Sequence, residues 1–316
     1  MLNRRHLRVK VLQVLYSFAQ SENKDKLVFE KILLQQIEKV REMYLYMLQL
    51  LAEMAEYVET DALESAEKYV PSEIDLNPNR SLAQNKIIHL LQTNSEFIAR
   101  LKSSKVSWQK DHDIVRSLFK TLKKKAEYET YGANEVNNFD TDKDFLLHIF
   151  KKIIMKSVVV KQWFEEHDIN WNSNEAVINS MVSKTIKSFT EESNSEHFLA
   201  SVSANWEDDE EFIINLYRKT QENDVRFDEI IGKKTENWDI ERIAMLDVIL
   251  MKMALSEFLY FNGIPLKVTM NEYIDISKEY STPKSNTFIN GILDKILIDF
   301  NVNKEIRKTG RGLIGS

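Results

Sequence analysis

The sequence predicts an all-α protein, and three observations carry that expectation. Its 316 residues include only 7 Gly and 4 Pro, so few positions break a helix. Apolar residues recur at three-and-four spacing, the period of helices that bury one face. The links between these periodic stretches carry Asn, Asp, Ser, Gly and Pro, the residues that cap, start or interrupt helices.

Taken in order, Asn3 caps a first helix that opens on Arg4, Arg5, His6, Arg8 and Lys10 and buries Leu7, Val11, Val14, Leu15 and Phe18. Arg4 and Arg8 fall beside that stripe, within reach of neighbouring elements, and Tyr16 reads as a core aromatic with a solvated hydroxyl. Cations in a first turn oppose the helix dipole, so either they bind phosphate or they form a solvated basic end. Residues 27 to 69 form a long helix with Leu33, Ile37, Val40, Tyr44, Met47, Leu48, Leu51 and Met54 on one face, which reads as ordinary core. Pro71 to Arg80 is a loop. Helices follow near Leu82–Lys102, Trp108–Tyr131, Asp142–His167 and Asn174–Phe189. Lys120 and Lys123 to Lys125 are better explained as a solvated face than as a binding site.

Glu207 to Glu211 form an acidic run that suits a helix start. Asn237 can cap a further helix carrying Leu246, Ile249, Leu250, Met253, Ala254 and Phe258, and Pro265 and Pro283 fit the first turns of two more. Asn290-Gly291 falls in mid-helix, where Gly costs roughly 1 kcal/mol against Ala, so a closely crossing backbone is expected there. Residues 301–316 read as a mobile basic tail, in which Gly310-Arg311-Gly312 lacks the strand and helix of a phosphate loop. A gap-free offset of 67 residues pairs Phe145 with Phe212 and Trp171 with Trp238, which suggests a degenerate repeat of 142–189 against 209–256.

Composition excludes several function classes. An apolar fraction of 43 % suffices for a core, and a chain of this length can form two domains. The absence of Cys removes disulfides, thiolate metal sites and cysteine nucleophiles. His6, His89, His112, His148, His167 and His197 show no metal spacing, and no nucleophilic triad or Gly-rich nucleotide loop occurs, so no enzyme, cofactor or metal is expected. No run of 18 apolar residues exists, so no membrane span is expected. Lys10, Gln13 and Ser17 interrupt any signal-like apolar region near the start, so a cytoplasmic location is expected. A net charge of −6 confines any nucleic-acid contact to a local basic patch.

Four motifs then carry a resemblance: Trp238-x-x-Glu241-Arg242-Ile243, Ile264-Pro265-x-x-Val268, Asn271-Glu272 and Phe288-Ile289-Asn290-Gly291-Ile292-Leu293-Asp294. Their order resembles the transcription antitermination factor NusB family, Phe-x-Asn-Gly-x-Leu being the most specific piece. The resemblance implies a NusB-like helical bundle assembled from residues 1–26 and 207–300, enlarged by a helical insertion over 27–206. It implies transcription antitermination on ribosomal RNA operons, by binding boxA-like single-stranded RNA together with the ribosomal protein NusE in the elongation complex. Arg4, Arg5, Arg8 and Lys267 would supply charge to the RNA and Phe288 a stacking face, while Glu241 and Asp247 match the acidic surface used for NusE. Some RNA cytosine methyltransferases carry a NusB-like domain, but they need a cysteine nucleophile that this chain lacks. The alternative is a non-catalytic helical adaptor or ribosome-biogenesis protein that kept the NusB-like core without RNA binding.

Overall fold

The computed structural model describes residues 1–133, 137–235 and 243–314. Among them every regular element is helical, as composition predicts. The chain divides into two compact units, one of Met1 with Glu38–Val202 and the other of Leu2–Ile37 with Ser203–Ser316. The boundary falls inside the 41-residue helix Lys26–Ala66, between Ile37 and Glu38.

The unit of Glu38–Val202 is built on the apolar face of that helix. Val40, Met43, Met47, Leu48 and Met54 are fully buried, and the Tyr44 hydroxyl meets Thr185 Oγ1 at 2.5 Å. Polar residues divide the longer predicted helices into shorter ones. Asn94 separates Lys86–Gln92 from Ser95–Ser104 by accepting from the Phe97 amide, and Lys124-Lys125 separates His112–Lys123 from Ala126–Gly132. Ser157 caps Val158–His167 after a wide π-turn segment, Ile149–Ile154. Within the predicted loop, Ser72 and Asp75 cap one short helix, Glu73–Leu76. Trp171 starts the helix Trp171–Ser188, 2 % exposed and stacked on Phe164 at 4.4 Å. The helix starts Phe139 and Trp206 lie 67 residues apart, as do the helix ends His167 and Lys234. Trp238, the partner of Trp171 in the proposed repeat, lies outside the described residues, as do Asn237 and Arg242.

The other unit packs Arg4–Gln20, Trp206–Glu222, Asp224–Lys234, Leu266–Tyr280 and Ser285–Val302 around Met245–Tyr260. The sequence suggests one buried face for Met245–Tyr260. Instead every residue from Ile249 to Phe258 is buried, which makes it the central helix. Its polar residues are matched: Ser256 Oγ meets Thr220 Oγ1 at 2.9 Å inside the core, and Lys252 reaches out to the partly exposed Asp224 and Asp228. Pro265 stands just before Leu266–Tyr280, and Pro283 lies in the turn leading into Ser285–Val302. Tyr16 departs from its core assignment: it is 37 % exposed and its hydroxyl accepts from Gln20.

Residues 305–314 are not loose. Lys308 Nζ donates to the carbonyls of Glu257 at 3.0 Å and Phe261 at 2.9 Å at the end of Met245–Tyr260, a second donor for acceptors that also take the Phe261 and Ile264 amides. Arg226 pairs with Glu305 at 2.6 Å, and the Thr309 amide donates to the Asn262 carbonyl at 3.0 Å. The expectation of a mobile tail is therefore corrected for these residues: a lysine capping a helix end gives the segment a docking point.

Candidate nucleic-acid interface

The Asn3 side chain accepts from the His6 amide, and His6 Nδ1 accepts in return from the Asn3 amide, so the basic first turn is closed by a reciprocal cap. Burial, the largest influence, together with nearby positive charges lowers the His6 pKa, which favours the neutral ring this cap requires.

The three arginines of this turn differ in their access to solvent. Arg4 Nε meets Asp209 at 3.1 Å, and its guanidinium lies 4.3 Å over the Phe212 ring. Arg5 binds Glu272 through Nε at 3.1 Å and Nη2 at 3.0 Å, with Asp275 at 2.9 Å. Those hydrogen bonds raise the Arg5 pKa. Arg4 and Arg5 keep 43 % and 39 % of their side chains exposed, and Nη1 of each makes no hydrogen bond among the described residues. Arg8 is different. Its Nε and Nη2 reach the two Glu257 oxygens at 2.6 and 2.8 Å, and its side chain is 3 % exposed. Burial alone would lower its pKa, but the Glu257 charge prevails and raises it. Arg8 is therefore corrected from a direct phosphate contact to a structural pair, because its fork is occupied and out of solvent.

Arg4, Arg5 and Arg8 line a surface cavity of about 1160 Å³ with Phe212, Tyr260 and Val268. Helix caps position its walls: Asn205 opens Trp206–Glu222 beneath Arg4, and Pro265 opens Leu266–Tyr280 beneath Arg5. The acidic run after Asn205 thus does more than suit its own helix start, since it supplies the partner of Arg4.

Lys267 is exposed in the first turn of Leu266–Tyr280. Phe288 is half-buried on Ser285–Val302, and Gly291 is exposed one turn later. A Cβ at Gly291 would meet nothing within 4 Å, so the expected crossing backbone is absent. The glycine instead leaves bare helix surface beside an aromatic ring.

Asp247 is 5 % exposed and accepts from Ser281 Oγ at 2.5 Å and Ser285 Oγ at 2.7 Å. It ties two helices together rather than facing a partner, which corrects its assignment. Glu241 lies outside the described residues.

Sequence reasoning missed Arg311, which lines the same cavity with Ile314. Only the capping chemistry of Lys308, read against the end of Met245–Tyr260, could have pointed to it. Among the described residues no group of three or more His, Cys, Asp or Glu is placed to hold a metal ion, and no helix is long and apolar enough to cross a membrane.

A family model described as "NusB family" matches residues 172–297. The match includes Lys267, Phe288 and Gly291, begins inside the expected insertion, and does not reach the Arg4–Gln20 helix. The transcription antitermination protein NusB of Salinibacter ruber is 48 % identical over 105 residues, 33 % of this chain and 66 % of that protein. Its namesake in Chloroherpeton thalassium is 39 % identical over 104 residues, 33 % of this chain and 49 % of that protein. That of Natranaerobius thermophilus is 37 % identical over 91 residues, 29 % of this chain and 66 % of that protein. The chain thus spans less than two thirds of the length of each of these relatives. No solved structure matches.

Proposed function

This chain belongs to the NusB family through residues 172–297, and on that premise we propose that it is a transcription antitermination factor that binds boxA-like single-stranded RNA together with NusE. The reading is non-catalytic. The observation that carries it is the Phe288-to-Gly291 surface: the most specific family motif presents a partly exposed ring beside a glycine with open space above it. A base needs a flat aromatic face and room to lie on it, and such stacking contributes on the order of 1–3 kcal/mol per base. Arg4 and Arg5 are partly exposed and each keeps an Nη1 donor that no hydrogen bond among the described residues uses, and Lys267 adds charge. Their carboxylate partners hold the two guanidinium groups in fixed orientations, so little side-chain entropy remains to be lost on binding. Glu241 is retained as the acidic contact for NusE, a basic partner.

The test is a binding titration of the full chain with a boxA-like oligonucleotide and a scrambled control, each with and without NusE. Preference for the boxA-like RNA, strengthened by NusE, supports the reading. Equal and weak binding to both favours the adaptor.

A further inference from the structure

We propose that Arg311, on the docked C-terminal segment, is a phosphate-binding residue of the Arg4–Arg5 cavity, contacting the backbone of the bound RNA. This rests on the RNA-binding reading above and adds a contact from outside the family-matched residues.

Among the described residues five cations line the cavity: Arg4, Arg5, Arg8, Lys219 and Arg311. Four already hold carboxylates, Asp209, Glu272, Glu257 and Glu222 respectively, at 2.6 to 3.1 Å. An arriving phosphate must share those cations with their existing partners. Arg311 is exposed, and its guanidinium has no hydrogen-bond or ionic partner among the described residues, so a phosphate there displaces only water.

The segment also holds Arg311 in place. Lys308 anchors it to two carbonyls at the end of Met245–Tyr260, and the Gly312 amide closes a turn onto the Thr309 carbonyl at 2.9 Å. Gly310 has φ +52°, and a Cβ on Gly312 would lie 2.0 Å from the Asn262 carbonyl oxygen. Two glycines thus flank Arg311 for separate reasons, one conformational and one of close approach. A free charged tail needs neither.

The experiment measures affinity of the full-length protein for a boxA-like RNA across a salt series. It compares the unsubstituted chain with Arg311→Ala, Arg311→Lys and Gly312→Val, each checked for helical content. Arg311→Ala should weaken binding about three- to tenfold and flatten the salt slope by about 0.7, the loss of one single-strand phosphate contact. Arg311→Lys should retain most of both. Gly312→Val keeps the charge but cannot dock the segment, and should match Arg311→Ala, with faster proteolysis after Lys308. If Arg311→Ala binds as the unsubstituted chain does, or Gly312→Val retains full affinity while its segment is freed, the inference is overturned and the RNA-binding reading stands. If the unsubstituted chain shows no salt-dependent RNA binding, both fall.

Discussion

Arg8 and Glu257, 249 residues apart in the chain, form a two-pronged ion pair with both side chains out of solvent. Glu257 also accepts from the Tyr273 hydroxyl at 2.7 Å and from Thr269 Oγ1 at 3.2 Å, so three helices meet on one carboxylate. Burial, reinforced by the Glu257 charge, raises the Tyr273 pKa and keeps it a donor.

Removing one partner strands the other charge in the core. Arg8→Met should therefore destabilise the protein by about 3–5 kcal/mol, and adding Glu257→Met should recover part of that loss. Urea unfolding measures both. A single variant within about 0.5 kcal/mol of the parent would show that the pair is dispensable.

Phe288 and Gly291 give opposite expectations for stability and binding. Phe288→Ala should cost on the order of 1–3 kcal/mol of RNA affinity through lost stacking. Gly291→Ala meets no neighbour and should stabilise the helix by up to about 1 kcal/mol, while Gly291→Leu should obstruct the open face and weaken RNA binding. Thermal melts and titrations on the same samples separate the two effects.

Lys308 sets a pH dependence. Burial, the larger influence, lowers its pKa from the usual 10.5 to about 8, while the Glu257 charge acts the other way. The unfolded chain then binds the proton more tightly between those values, so stability should rise as pH climbs from about 8 towards 10.5. The neutral amine still donates to the two carbonyls. Comparing unfolding of the parent with Lys308→Met at several pH values isolates this contribution, and a flat or falling difference would contradict it.

Trp171 anchors the other unit by stacking on Phe164, although its buried indole N–H has no hydrogen-bond partner among the described residues. Trp171→Ala should cost about 3–5 kcal/mol. Trp171→Phe should cost less, because it keeps the ring contact and removes the unsatisfied donor. RNA affinity should survive both, as read by titration of the folded variants.

The helical class and the Asn3 cap were legible because each depends on residues close in sequence. The fate of Arg8 was not, since a partner 249 positions away decides whether a guanidinium faces water or the core. Asp247 misled for the same reason: its exposure depends on Ser281 and Ser285, two helices on in the chain. The last residues looked mobile because they lack apolar periodicity. Their order comes instead from a lysine donating to two carbonyls at a helix end, which leaves no periodic trace. Break points inside the longer predicted helices were missed where a single Asn or Ser chose to cap rather than continue.

The central claim, that this chain binds boxA-like single-stranded RNA through Arg4, Arg5, Lys267 and Phe288, is tested most directly by one titration. Affinity for a boxA-like oligonucleotide is measured between about 50 and 200 mM salt, with a scrambled sequence alongside. The account predicts a clear preference for the boxA-like RNA and a log–log salt slope of about −2.8, four phosphate contacts (Arg4, Arg5, Lys267 and Arg311) at roughly 0.7 each. Binding that is indifferent to both sequence and salt would contradict it and leave the adaptor reading in its place.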